Sequence, residues 1–207
     1  KSFFYKTGEM LDIPSADIED TCVNLAIDGI VRIDNLNGER VIYPELYYEA
    51  ETNVERRLYA LYKQDIRKVQ ADIDGLILRS ETNMGIKLSE DQRMAVKIAT
   101  EEGVCVITGG PGTGKTTIIN TLIHAFEAGG FSVALAAPTG RAAKRITETS
   151  GHDAVTIHRL LDYTFSDEDE GMHFGKNYED TLEYDVVIID EMSMVDILLM
   201  DALTEAI

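Results

Sequence analysis

The sequence predicts an α/β protein, a parallel sheet covered by helices, preceded by a small α+β unit. Three observations carry this. The short apolar runs VCVIT (104–108), SVALAAP (132–138) and DVVIID (185–190) are separated by segments of helical spacing, the pattern of strands buried on both faces and joined by crossover helices. A glycine-rich stretch, TGGPGTGKTT (108–117), lies between the first run and a helix-like segment. Residues 1–84 read differently, as a helix, a hairpin and a further helix.

The glycine-rich stretch is the most specific signal. Gly109, Gly114, Lys115 and Thr116 fit G-x-x-x-x-G-K-[ST], the phosphate-binding loop of P-loop nucleotide hydrolases. Gly109, Gly110, Gly112 and Gly114 let the backbone curl so that N–H groups point at phosphate oxygens, with Pro111 and Thr113 between them. Lys115 can reach the outer phosphates, and the Thr116 hydroxyl can bind Mg²⁺. VCVIT is expected to be the buried strand before the loop. KTTIINTLIHAFEAGG is the helix after it, with Thr117 in its first turn, Ile118, Leu122, Ala125 and Phe126 on one face, and Gly129 and Gly130 at its end.

DVVIID delivers Asp190 to the end of a strand, where its carboxylate can hold Mg²⁺. Glu191 beside it can orient and deprotonate an attacking water; a helix cap is the plainer reading of the pair. In KLSEDQRMAV (87–96), Ser89 and Gln92 stand in capping-box relation. APTGRAAKR (137–145) ends the second strand and opens a helix. Pro138, Thr139 and Arg141 there, with His158 in TIHRLL (156–161), offer groups that can grip a nucleic-acid backbone; the alternatives are a capped helix with solvated cations and a core histidine.

In the N-terminal region, Ser15 is expected to cap a helix carrying Ile18, Cys22, Leu25 and Ala26 on one face, ended by Gly29. Two alternating segments surround NLNG (35–38), and Pro44 closes the second. Helix then hairpin is the order of a winged-helix unit. NVERRLYALYKQDIRKV (53–69) adds a helix, and SETNMG (80–85) reads as a loose junction, giving domains 1–84 and 85–207.

Composition is that of an ordinary globular protein. The start of the chain lacks the features of a secretory signal, no apolar run is long enough to span a membrane, and Cys22 and Cys105 read as small buried residues in a reduced cytoplasm. The formal net charge of −18 argues against nucleic acid when taken as a sum, but charge is unevenly placed. Residues 162–185 hold nine acids against the single Lys176 and read as a mobile surface insertion, whereas GRAAKR (140–145) carries three cations and no acid.

In this order, LSEDQRMAV, GGPGTGKTT, APTGRAAKR, TIHRLL and VVIIDEMSMVD resemble the Q motif and motifs I, Ia, Ib and II of RecD-like superfamily 1 DNA helicases. The resemblance covers residues 85–207 and implies a RecA-like ATP-binding motor domain that uses ATP and Mg²⁺. It implies that Gln92 reads adenine and that Pro138, Thr139, Arg141 and His158 line the path of single-stranded DNA, followed 5′ to 3′ in recombination or repair. The region before residue 85 is more weakly similar to the segment preceding the motor in longer RecD-like helicases. Motif III, motifs IV to VI and a second motor domain do not appear, so the chain is expected to be a fragment, truncated after motif II. The partners so implied are the remaining motor domain, DNA and subunits of a nuclease or recombination complex. Such a fragment is expected to bind nucleotide and hydrolyse it slowly, because the family draws a catalytic arginine from the second domain. The helicase domain of a conjugative relaxase, a small-molecule kinase and a nucleotide-gated binding module are the competing readings; the kinase would need an arginine-bearing lid that the acidic 162–185 segment does not supply.

Overall fold

The computed structural model describes residues 3–110, 112–165 and 172–207. The chain divides into two compact units, Lys1–Val54 and Glu55–Ile207.

In the first unit, helix α1 (Phe3–Leu11) is followed by α2 (Ser15–Ile27). Ser15 is not the cap of α2 but its first residue. Pro14 occupies the cap position, and its carbonyl accepts from the N–H groups of Asp17 and Ile18 at 3.1 and 3.3 Å. The fixed φ of proline suits the entry to a helix, and its missing N–H is no loss there. Ile18 and Cys22 are the buried side chains of α2. Strands β1 (Val31–Leu36) and β2 (Glu39–Pro44) then pair antiparallel, from Val31 opposite Pro44 to Leu36 opposite Glu39. Asn37 and Gly38 both have positive φ, 54° and 86°, as a two-residue hairpin turn that matches strand twist requires. Helix α3 (Glu45–Lys63) begins directly after Pro44, and the division between the units falls within it.

The second unit opens on the remainder of α3 and on α4 (Ile73–Met84). Asp72 caps α4 by accepting from the Gly75 N–H at 3.0 Å, and Gly85 ends it in the left-handed conformation. The stretch read as a loose junction is therefore helical as far as Met84, with Ser80 and Glu81 buried. Ile77 packs with Val96 and Ile118 in the core, so the boundary expected after residue 84 lies inside the second unit.

Next come α5 (Glu90–Glu101), α6 (Lys115–Ala128), strand β3 (Val133–Ala137), α7 (Gly140–Ser150), β4 (Val155–Thr156) and the short α8 (Ile157–Leu160). Strands β5 (Tyr163–Phe165) and β6 (Met172–Phe174) form an antiparallel pair, and β7 (Val186–Ile189), a 3₁₀ turn (Met192–Met194) and α9 (Ile197–Glu205) complete the chain. The central sheet is parallel, in the order β4-β3-β7. Alternation along β3 separates its two faces. Leu135 and Ala137 pack with Ile119, Ile123, Ala143 and Ile146 of α6 and α7, whereas Ala136 packs with Ile157, Leu199 and Leu203 of α8 and α9. Helices thus cover both faces, as a continuous apolar strand demands. Asp185 fixes the start of the β3–β7 pair: its carboxylate accepts from the backbone N–H and the hydroxyl of Ser132, both at 2.7 Å.

Three further expectations are corrected. VCVIT is not a strand: residues 104–108 have no ladder partner among the described residues, and Val106 is 81% exposed. Its β-branched composition suits a half-buried pleated surface, but such propensity takes effect only where a neighbouring strand supplies hydrogen bonds. Cys105 in that segment is correspondingly exposed, while Cys22 is buried as expected. The acidic 162–185 region carries the β5–β6 hairpin and is tied down beyond it. Asn177 accepts from the N–H groups of Glu179 and Asp180, Lys176 pairs with Asp180 at 2.9 Å, and Leu182 donates to the Ala206 carbonyl. Its most acidic stretch, 167–170, lies outside the described residues.

Candidate nucleotide and nucleic-acid site

Part of the predicted site follows the carboxyl ends of the parallel strands, where ligands gather in open α/β sheets. Pro138 and Thr139 follow β3, Ile157 and His158 follow β4, and Asp190 follows β7.

The loop at 109–114 is shaped by its own side chains. Gly112 and Gly114 have φ of 75° and 80°, a region costly for residues with a Cβ. A Cβ on Gly109 would stand 2.5 Å from the Thr113 hydroxyl, and one on Gly114 would stand 2.6 Å from Gln92 Nε2. The Thr113 hydroxyl donates to the Gly110 carbonyl at 2.9 Å, closing the turn. Lys115 Nζ donates to the carbonyls of Gly109 and Gly110 at 2.8 and 3.1 Å. The ammonium is thus held against the loop, on carbonyls that anionic oxygens can replace. Lys115 is the first residue of α6, with Thr116 and Thr117 half-buried in its first turn. The free N–H groups there carry the positive end of the helix dipole. Pro111 lies outside the described residues.

Gln92 does more than cap. Its Oε1 accepts from the Ser89 N–H at 2.8 Å and its own N–H donates to Ser89 Oγ at 3.2 Å, completing the capping box. Its Nε2 donates to the Thr113 carbonyl at 2.8 Å. A primary amide offers two donors and two acceptor lone pairs, so a donor and an acceptor remain for a ligand.

The backbone N–H of Asp190 donates to the Ala136 carbonyl at 3.0 Å, extending the β3–β7 pairing into the site. Its Oδ1 accepts from the Glu191 N–H at 2.8 Å. Glu191 is exposed and has a φ of 55°, a left-handed conformation that costs a residue with a side chain on the order of 1–3 kcal/mol and clusters at functional sites.

On the second candidate surface, Thr139 caps α7: its Oγ1 accepts from the Ala142 N–H at 3.2 Å, leaving the hydroxyl proton to donate elsewhere. Arg141 is exposed, and Lys144 pairs only loosely with Glu148 at 3.9 Å. His158 is half-buried, not a core histidine. Its ring meets Tyr163 edge-on at 5.5 Å and lies 6.1 Å from Phe174, an aromatic group of the kind on which bases stack.

One positioning element was not legible. Glu81 on α4 is buried, accepts from the Leu88 N–H at 2.7 Å and pairs with Arg93 at 2.6 Å, fixing the start of α5 and with it Gln92. No local spacing announces this contact, because its partners are seven and twelve residues away, just before and within the next helix. The left-handed backbone at Glu191 was equally silent, since nothing in the sequence marks a glutamate for positive φ.

The sequence profile described as AAA domain matches residues 92–207, more than half of the chain. The chain belongs to the AAA domain family. Its fold is accordingly that of a P-loop nucleotide hydrolase. It is 33% identical over 196 residues to the RecBCD enzyme subunit RecD of Mycobacterium tuberculosis, covering 84% of this chain and 32% of that protein. It is 40% identical over 120 residues to the ATP-dependent RecD2 DNA helicase of Deinococcus radiodurans, covering 58% of this chain and 16% of that one. It is also 32% identical over 111 residues to the ATP-dependent DNA helicase PIF1 of Trypanosoma brucei brucei, covering 54% and 11%. The resemblance to RecD-like helicases read from the motifs therefore holds, and this chain spans about a third of the length of the RecD relative. No helix of the described residues is long and apolar enough to cross a membrane.

Proposed function

We propose that the chain is the ATP-binding part of a DNA helicase, in which ATP hydrolysis drives 5′ to 3′ movement along single-stranded DNA in recombination or repair. Residues 85–207, with α4 packed into their core, are the motor portion and the helix-and-hairpin region at the start of the chain an accessory winged-helix-like unit, in a cytoplasmic protein whose further motor domain and nuclease-complex subunits are its partners. The observation that carries the reading is the cradle itself: a glycine loop with Lys115 drawn onto it, opening α6 and bonded through Thr113 to Gln92. The kinship with helicases supports it.

In this reading Gly109, Gly110, Gly112, Thr113 and Gly114 present N–H groups to the phosphates, with Pro111 a part of the same loop that has no N–H to offer, and Lys115 holds the outermost ones. Thr116 and Asp190 hold Mg²⁺, whose charge, when bound, offsets that building on the phosphate oxygens. Thr117 closes the first turn, Gln92 reads the adenine edge with its spare donor and acceptor, and Glu191 takes the proton of the attacking water. Pro138, Thr139, Arg141 and His158 contact the DNA strand.

Lys115 is the cation that the loop binds among the described residues, and Arg141, Lys144 and Arg145 stand on α7, after a different strand. An additional arginine at the transferred phosphate is worth about 10³–10⁵ in rate, so the chain alone should bind ATP and release phosphate slowly, without stimulation by DNA. Equilibrium binding of a fluorescent ATP analogue to the chain and to Lys115→Ala, with phosphate release measured with and without oligonucleotide, tests both statements. Affinity unchanged in the variant overturns the site, and brisk DNA-stimulated release overturns the missing cation.

A further inference from the structure

At the ends of α6 and α7 remote from the nucleotide loop, three side chains of metal-binding type converge. His124 and Glu127 stand three residues apart on α6, so they share one helix face. His152 follows the Gly151 cap of α7. One donor atom from each residue lies within 4.8 Å of the others. His152 Nδ1 is 3.9 Å from Glu127 Oε1, and the two imidazoles meet edge to face at 5.6 Å.

We propose that His124, Glu127 and His152 form a binding site for Zn²⁺. Two imidazoles and a carboxylate are a ligand set that zinc takes in tetrahedral sites, with water in the fourth position. Donors about 3.3 Å apart would satisfy Zn–N and Zn–O bonds near 2.0–2.1 Å. The present spacing reaches that by side-chain rotation, since His124 and Glu127 are exposed and His152 is half-buried. The backbones need not move. Ile119 and Ile123 of α6 pack with Ala143 and Ile146 of α7. The loop bearing His152 is pinned where the His152 N–H donates to Ser150 Oγ at 3.1 Å and the Ala154 N–H donates to Thr147 Oγ1 at 2.9 Å. Magnesium needed for nucleotide binding would not compete, because it prefers oxygen ligands and octahedral geometry. The ion would clamp the far end of the helix that starts at Lys115 to the far end of the helix that carries Arg141.

The test is direct binding to the chain by competition with a chromophoric zinc chelator, backed by the visible absorption of a Co²⁺ substitute. One Zn²⁺ per chain is expected. At 100-fold excess over Kd it should raise the melting temperature by roughly 5 °C or more. His124→Ala and His152→Ala, each checked for folding by circular dichroism, should weaken binding at least tenfold, and Glu127→Gln should weaken it too. Cys105→Ser should leave it unchanged, since the exposed thiol is a zinc-binding side chain outside the proposed site. No stoichiometric binding, binding that survives both histidine variants, or binding lost with Cys105 overturns the site. The result does not depend on nucleotide, so Lys115→Ala should bind zinc as the unaltered chain does.

Discussion

The side-chain amide of Gln92 donates to the Thr113 carbonyl at 2.8 Å while its oxygen closes the capping box of α5. The same side chain is therefore a helix cap and a strut of the phosphate loop. Gln92→Ala should lower stability by about 1 kcal/mol through the cap. It should also remove discrimination between ATP and GTP, which two hydrogen bonds to adenine would set at about 1–3 kcal/mol. Competition of the two nucleotides against a fluorescent analogue measures this; GTP competing as strongly as ATP in the unaltered chain would leave Gln92 with its structural roles alone.

Glu81 is expected to matter for the site from outside it. Glu81→Ala leaves a buried Leu88 N–H without its acceptor and Arg93 without its partner. The cost should be about 2–3 kcal/mol, discounted for the partial exposure of Arg93. Chemical denaturation reads the stability, and nucleotide affinity should fall as the start of α5 loosens. Glu81→Gln, which still accepts from the Leu88 N–H, should lose less of both.

Asp185 gives the second unit an acid-sensitive contact. Hydrogen bonds first from the backbone and then from the hydroxyl of Ser132 hold its carboxyl below the usual aspartate range. A carboxyl whose folded value is lowered stabilises the fold in full above its ordinary value of about 3.9, and this contribution fades as pH falls through the lower folded value. Thermal melts from neutral pH down to about pH 2 should therefore show a loss of stability below about pH 4 that is smaller in Asp185→Asn. An identical acid limb in the variant would assign the loss to other carboxylates.

For the basic face, Arg141 is the group to remove. It is exposed at the start of α7, next to Thr139. Arg141→Ala should weaken binding of single-stranded oligonucleotides and make the dependence of log affinity on log salt shallower by roughly 0.7, the share of one phosphate contact. A slope that stays the same would return this cation to the solvent.

The sequence was most readable where local chemistry decides local shape. Ser89 with Gln92, Asn37 with Gly38, and the glycines around Lys115 each determine their own turn or cap, and all stand where the pattern put them. The faces of β3 were equally readable, because alternation along Leu135, Ala136 and Ala137 is intrinsic to a strand. What could not be read depends on partners distant in sequence. Val104 to Thr108 has strand composition, but pairing is a property of two segments. Ser80 and Glu81 look like loop residues, and only packing against α5 and the phosphate helix makes them helical and buried. In the site, residue types were legible and their linkages were not: nothing in Gln92 or Thr113 alone announces the bond between them.

The exposure of Val106 reaches beyond the fold into colloidal behaviour. An exposed apolar segment without a ladder partner among the described residues can zip onto the same segment of another molecule. What opposes this is the charge of −18 that every copy carries, a repulsion that reaches about 10 Å at 0.1 M salt and about 3 Å at 1 M. Concentrated samples should thus stay dispersed in dilute buffer and begin to scatter light as salt is added, the reverse of ordinary salting-in, and Val106→Lys should abolish the effect.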